Sequence, residues 1–196
     1  MTAGKPRLIL ASASPRRLEL LARLGVVPDA VWPAEIDETP RKGELPAPYA
    51  ERMAAEKAAA AVALAQGGAL VLAADTVVAA GRRILPKCER EEEAHAALSL
   101  LSGRRHRVHC AVTLVDAEGR ARHRLATSIV TFKRLSDEEL RAYLATGEWR
   151  GKAGGYAIQG RAEALVRFLA GSHSAVMGLP LHETRALLRA AGYPLG

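Results

Sequence analysis

The chain has 196 residues and is about half apolar, enough for one globular unit with a sizeable core and no need of disulfide or metal staples. No stretch of ~18 consecutive apolar residues argues for a membrane span. The opening MTAGKPR has no signal-peptide-like apolar run, and the two cysteines, Cys88 and Cys110, form no disulfide framework, so a reducing, cytoplasmic setting is expected. The net charge of +7 comes from 22 arginines and six lysines, but no basic stripe interleaved with aromatics accompanies it, so charge alone does not argue for nucleic acid.

Residues 8–11 read as a short buried strand. Ser14 then stands at an N-cap position with Pro15 as first helical residue, and Leu18, Leu21 and Leu24 follow at helical spacing until Gly25. A second strand is expected over 26–32, a polar loop over 34–45, and an alanine-rich helix over 48–66. Residues 69–80 are apolar and β-prone, broken only by Asp75. Gly81, Arg82 and Arg83 turn into a short strand ending near Pro86. A helix over 89–101 follows, then long strands over 106–115 and 122–132. Ser136 caps a helix to about Ala145, with Asp137, Glu138 and Glu139 in its first turn, where the helix dipole favours acids. A glycine-rich loop, GEWRGKAGGYAIQG, precedes a strand over 165–170 and a last helix over 181–191. The mixture predicts an α/β fold with a mixed central sheet and flanking helices. One domain, 1–196, is expected, with about 81–132 set apart as a second lobe across a cleft.

Several stretches carry candidate chemistry. SASPRR, residues 12–17, puts two serine hydroxyls and free helix N–H groups after a buried strand, a ready anion site. Arg16 and Arg17 sit against the helix dipole, at a cost of about 0.3–1 kcal/mol each, which an anionic ligand would reverse. Guanidinium forks match phosphate oxygens. Asp75, buried among apolar neighbours, needs a cation, a metal or a catalytic task, and Thr76 beside it adds a hydroxyl. The acidic loop offers Glu35, Asp37 and Glu38, of which Glu38 could join Asp75 as a metal-ligating pair, with phosphates supplying the other ligands. Lysine is rare enough here that Lys57, Lys87 and Lys152 draw notice as compact cations suited to phosphate. Gln159 offers both a donor and an acceptor to a base edge. HRVHC, residues 106–110, is not read as a zinc site, because a strand would send His106 and His109 to opposite faces.

Together, LILASASPRRLELL, ERMAAEKA, AADTVV, LLSGRRHRVHCAVTLV, GEWRGKAGGYAIQG and GSHSAVMGLPLHET resemble, in the same order, the blocks of the Maf family over residues 8–188. The resemblance implies a cytoplasmic, homodimeric nucleoside triphosphate pyrophosphatase with a fold similar to inosine triphosphate pyrophosphatases. It implies a divalent cation, Mg²⁺, Mn²⁺ or Co²⁺. By the family's motifs Asp75 is the proton acceptor. Ser12, Arg16, Arg17, Lys57 and Lys87 hold substrate, and Glu38 holds metal with Asp75. Arg16, Thr76 and Gln159 occupy the specificity positions and match the branch acting on dTTP and UTP. The family usually has Lys-Pro where this chain has Lys87-Cys88. Its association with septum formation supplies the alternative of a non-catalytic nucleotide- or nucleic-acid-binding inhibitor.

Overall fold

A computed structural model describes residues 5–65 and 67–195. The strands are β1 (Arg7–Ala11), β2 (Ala30–Val31), β3 (Ala69–Ala80), β4 (Arg83–Leu85), β5 (Lys87–Cys88), β6 (Arg105–Val115), β7 (Ala121–Phe132), β8 (Lys152–Ala153) and β9 (Val166–Ala170). The helices are α1 (Pro15–Ala22), α2 (Pro46–Leu64), α3 (Glu91–Leu101), α4 (Asp137–Leu144), α5 (His173–Met177) and α6 (Leu181–Ala190). A seven-stranded sheet runs β2-β1-β3-β6-β7-β9, with β4 added to β3, while β5 and β8 form a separate two-stranded ribbon. β1 is parallel to β2 and β3, and the other pairings of the sheet are antiparallel. The expected α/β architecture with a mixed central sheet is therefore the one found. Residues 81–132 contribute β6 and β7 to this same sheet.

The alternation of β3 decides what packs where. Val71, Ala73, Asp75 and Val77 point to the face that α2 covers, while Leu70, Leu72, Ala74 and Val78 point to the larger core under α1, α3, α4 and α6. α2 presents Ala50, Ala54, Ala58 and Ala61 to the sheet, a buried stripe whose small side chains let helix and sheet approach closely. Lys57 lies in that same stripe, 7% exposed. The two periods thus bring a lysine and an aspartate together inside the layer.

Several boundaries differ from expectation. The strand expected over 26–32 is only Ala30–Val31, because Asp29 turns back to bind the Leu8 backbone through its N–H and its carboxylate. α2 begins at Pro46, two residues early, since first-turn positions need no N–H and accept both Pro46 and Pro48. Its expected end, Gln66, lies outside the described residues. The strand expected from 165 starts at Val166, after a 3₁₀ turn over Arg161–Leu165, and α5 lies within a segment read only as a loop.

Candidate active site

β1 ends at Ala11, opposite Ala73, whereas β3 runs on and meets β4 only from Val78. Residues 74–77 have no strand neighbour on that side, and a cleft of about 360 Å³ opens there. It lies beyond the carboxyl ends of β1 and β2, the kind of place where open α/β sheets bind ligands.

One wall is the start of α1. Ser12 Oγ accepts from the Ser14 N–H (3.1 Å) and from Arg17 Nη1 (2.9 Å). Ser14 holds the N-cap position, but its side chain makes no capping bond, so the helix start is left open to a ligand. Arg16 Nε donates to the Met177 carbonyl (3.2 Å) and Arg17 Nε to the Gly178 carbonyl (2.9 Å). Both carbonyls stand at the end of α5, where unpaired C=O groups carry partial negative charge. This offsets the dipole conflict of SASPRR. Partial burial, and then neighbouring Arg17, lower the Arg16 pKa.

The facing wall is a four-membered chain of charges. Lys57 Nζ donates to Asp75 Oδ1 (2.6 Å) and lies 2.7 Å from Glu38 Oε1. Lys87 Nζ reaches Glu38 Oε2 at 2.8 Å. Asp75 and Lys57 are buried, while Glu38 is half-buried and Lys87 exposed. Partial burial pushes the Glu38 pKa up, but the hydrogen bonds from Lys57 and Lys87 outweigh it and hold the carboxyl at about 2. Glu38 is pinned over α2 by its own carbonyl, which accepts from Tyr49 Oη.

Val78, Ala153, Tyr156, Val176 and Met177 add apolar side chains to the cleft lining. The Tyr156 hydroxyl is shared with His106 Nε2 at 2.8 Å, and its ring meets Phe132 edge to face at 4.9 Å. Burial alone pushes the His106 pKa down to about 4. Gly154 has φ +67°, and a Cβ there would come 2.8 Å from Val78 Cγ1, so the glycine lets the loop pack directly on β3. Thr76 Oγ1 lies 3.3 Å from the buried Cys110 Sγ.

The cleft therefore gathers Ser12, Arg16, Arg17, Glu38, Lys57, Asp75, Thr76 and Lys87. Gln159 is exposed and does not line it. Asp37 makes a local turn with the Thr39 N–H, and Glu35 is exposed outside the lining. Lys152 does line the cleft, with its pKa lowered by burial and then by Arg16. Its sequence signal was the scarcity of lysine. The Met177 and Gly178 carbonyls had no side-chain signal. His106 bonds Tyr156 and His109 bonds Thr127, from opposite faces of β6.

The donor set suits a hard divalent cation. Two carboxylates from different elements already converge on one cationic group, the Lys57 ammonium. Among the described residues no cluster of three or more His, Cys, Asp or Glu is found, so phosphates and water would have to complete the ligand shell.

The family described as Maf-like protein matches residues 7–191. The chain belongs to the Maf family. Among Maf relatives, a protein named dTTP/UTP pyrophosphatase from Novosphingobium aromaticivorans is 63% identical over 97% of this chain and 94% of its own length. One of the same name from Zymomonas mobilis is 63% identical over 96% of this chain and 93% of its own. One from Rhodospirillum rubrum is 62% identical over 100% and 92%. Among solved structures, a HAM1 protein from Coxiella burnetii covers 95% of this chain and all of its own, at 18% identity and a TM-score of 0.47. No helix among the described residues is long and apolar enough to cross a membrane.

Proposed function

We propose that this Maf protein hydrolyses dTTP and UTP to the nucleoside monophosphate and pyrophosphate. The observation that carries the reading is the opposition of two walls across one cleft, arginines docked on carbonyls facing a lysine-bridged carboxylate pair. The relatives named dTTP/UTP pyrophosphatase support the choice of nucleotides.

In this reading Ser12, Arg16, Arg17 and the open start of α1 bind polyphosphate oxygens. Lys57 and Lys87 turn from their carboxylates to the same polyanion. Asp75, which the Lys57 ammonium neutralises in the free protein, becomes the acceptor for a water proton once Lys57 has turned away. The water oxygen attacks phosphorus, the α–β anhydride bond breaks, the proton passes to Asp75 and pyrophosphate leaves with the bonding electrons. Glu38 and Asp75 would hold Mg²⁺, Mn²⁺ or Co²⁺, which supplies charge neutralisation at the phosphates when bound. Arg16 and Thr76 act on nucleotide choice from inside the cleft. Gln159 would act from the loop after Tyr156, with the smaller effect. A homodimer in the cytoplasm completes the reading.

The test is purified protein with Mg²⁺, Mn²⁺ or Co²⁺, a panel of nucleoside triphosphates and identification of products. The monophosphate and pyrophosphate are expected from dTTP and UTP first. Orthophosphate with a diphosphate would overturn the cleavage assignment. Salt-sensitive DNA binding without hydrolysis would favour a binding protein instead.

A further inference from the structure

The carboxylate pair is already engaged. Of its four oxygens, Glu38 Oε1 and Asp75 Oδ1 hold the Lys57 ammonium, and Glu38 Oε2 holds Lys87. An ammonium and a divalent cation cannot both stand between the same two oxygens. The charges also balance, two carboxylates against two ammonium groups. A divalent ion arriving alone would add two positive charges beside two lysines and, across the cleft, Arg16 and Arg17. A polyphosphate reverses this, because it offers the ammonium groups new anionic partners.

We propose that Lys57, assisted by Lys87, is a built-in counter-ion that keeps the Glu38–Asp75 pair closed to divalent cations until a polyphosphate draws the ammonium groups away. Metal and nucleotide binding are then coupled through the lysines, and by linkage each favours the other. Lys57 is the stronger gate because it is buried and touches both carboxylates, while Lys87 is exposed and touches one. The inference rests on reading the cleft as a triphosphate site.

The test uses nucleotide-free protein and two probes. Mn²⁺ alone is titrated and followed by the electron paramagnetic resonance signal of the free ion. Inorganic tripolyphosphate is titrated by calorimetry in the presence of EDTA. In Lys57→Met, Mn²⁺ is expected to bind about tenfold more tightly than in the wild type, and tripolyphosphate about tenfold more weakly. A merely structural role would weaken both together. Adding Glu38→Gln to Lys57→Met should remove the gain in Mn²⁺ affinity, placing the ion on the pair. Lys87→Met, at an exposed position, should shift both affinities in the same two directions by a smaller factor of about three, and it serves if Lys57→Met does not fold. Wild-type protein that binds Mn²⁺ alone as tightly as the lysine variants would overturn the proposal. So would a loss of Mn²⁺ affinity in them. Nucleotide hydrolysis is scored separately. Turnover of dTTP with tight Mn²⁺ binding by the free wild type overturns the gate and leaves the proposed function standing, whereas absent turnover overturns the function whatever the Mn²⁺ result.

Discussion

The two walls of the cleft handle positive charge in opposite ways. On the α1 wall, Arg16 and Arg17 rest on neutral carbonyls, Met177 and Gly178, so their charge remains unspent and faces the cleft. On the α2 wall, Lys57 and Lys87 rest on carboxylates and their charge is neutralised before any ligand arrives. The difference follows from the acceptors. A carbonyl positions a guanidinium through one N–H and leaves the other donors free, while a carboxylate pairs with the whole ammonium charge. The first wall is preorganised for an anion. The second, on the proposed function, exchanges partners when the polyphosphate binds.

The largest expected effect breaks the second wall at its base. Asp75→Asn removes the proposed proton acceptor and should lower turnover by about 10²–10⁴. Lys57 keeps Glu38 as a partner in that variant, so the fold is expected to survive, and circular dichroism beside single-turnover kinetics separates the two effects. A near-normal rate would remove Asp75 from the chemistry.

The first wall is broken more gently. Arg17 spans Gly178 O and Ser12 Oγ with two of its nitrogens, and a lysine cannot make that fork. Arg17→Lys keeps the charge and loses the fork, so nucleotide affinity should fall by roughly 10–100-fold, the equivalent of one hydrogen bond to a charged group. The effect should appear in KM more than in kcat. A fall in kcat with KM unchanged would mean that Arg17 acts only in the transition state, and the contrast between the walls would be wrong.

How much of this could be read beforehand follows from the range of each signal. The strand–aspartate–strand pattern around Asp75 and the alanine stripe carrying Lys57 are local periodicities, and both were legible. Their meeting depends only on the faces those periods select. The acceptors of Arg16 and Arg17 are backbone atoms 161 residues away, and a carbonyl leaves no trace in residue type. α5 was missed for the same reason, since its five residues are too few for a helical period and its N-cap bond, Ser172 Oγ accepting from Ala175 N–H, is not distinguishable from loop chemistry. Gln159 stands differently. Its functional groups suit a base edge, and it is exposed in the turn that the Gly160 N–H closes on the Ala157 carbonyl, outside the cleft lining of the ligand-free protein.

Ser12 sharpens the first wall at smaller scale. Its hydroxyl accepts from both the Ser14 N–H and Arg17, so Ser12→Ala leaves two donors without a partner in a position 5% exposed. A loss of about 1–2 kcal/mol in stability is expected, measured by urea unfolding. Nucleotide binding should weaken with it, because the α1 start loses its internal brace. A stability change without any change in binding would show that the wall is held by Arg17 and the carbonyls alone.

The smallest effect reads the second wall through pH. Glu38 titrates at about 2 in the folded chain against an ordinary 4.5, because the bonds from Lys57 and Lys87 outweigh its partial burial. A carboxyl lowered on folding stabilises fully above its unfolded pKa, and that contribution is lost as pH falls from about 4.5 towards 2. The side chain is 39% exposed, so solvent screens the pair and the contribution is small. Glu38→Gln should therefore flatten the acid limb of the stability curve below pH 4.5 without moving its neutral plateau by much. His106 provides an internal control in a different window. Burial holds its imidazole neutral down to about pH 4, so between about 6.5 and 4 the unfolded chain binds the extra proton and stability is lost as the pH drops through that window. If Glu38→Gln changed the slope in the histidine window instead, the two lysines would not be what lowers Glu38, and the second wall would not be neutralised from within.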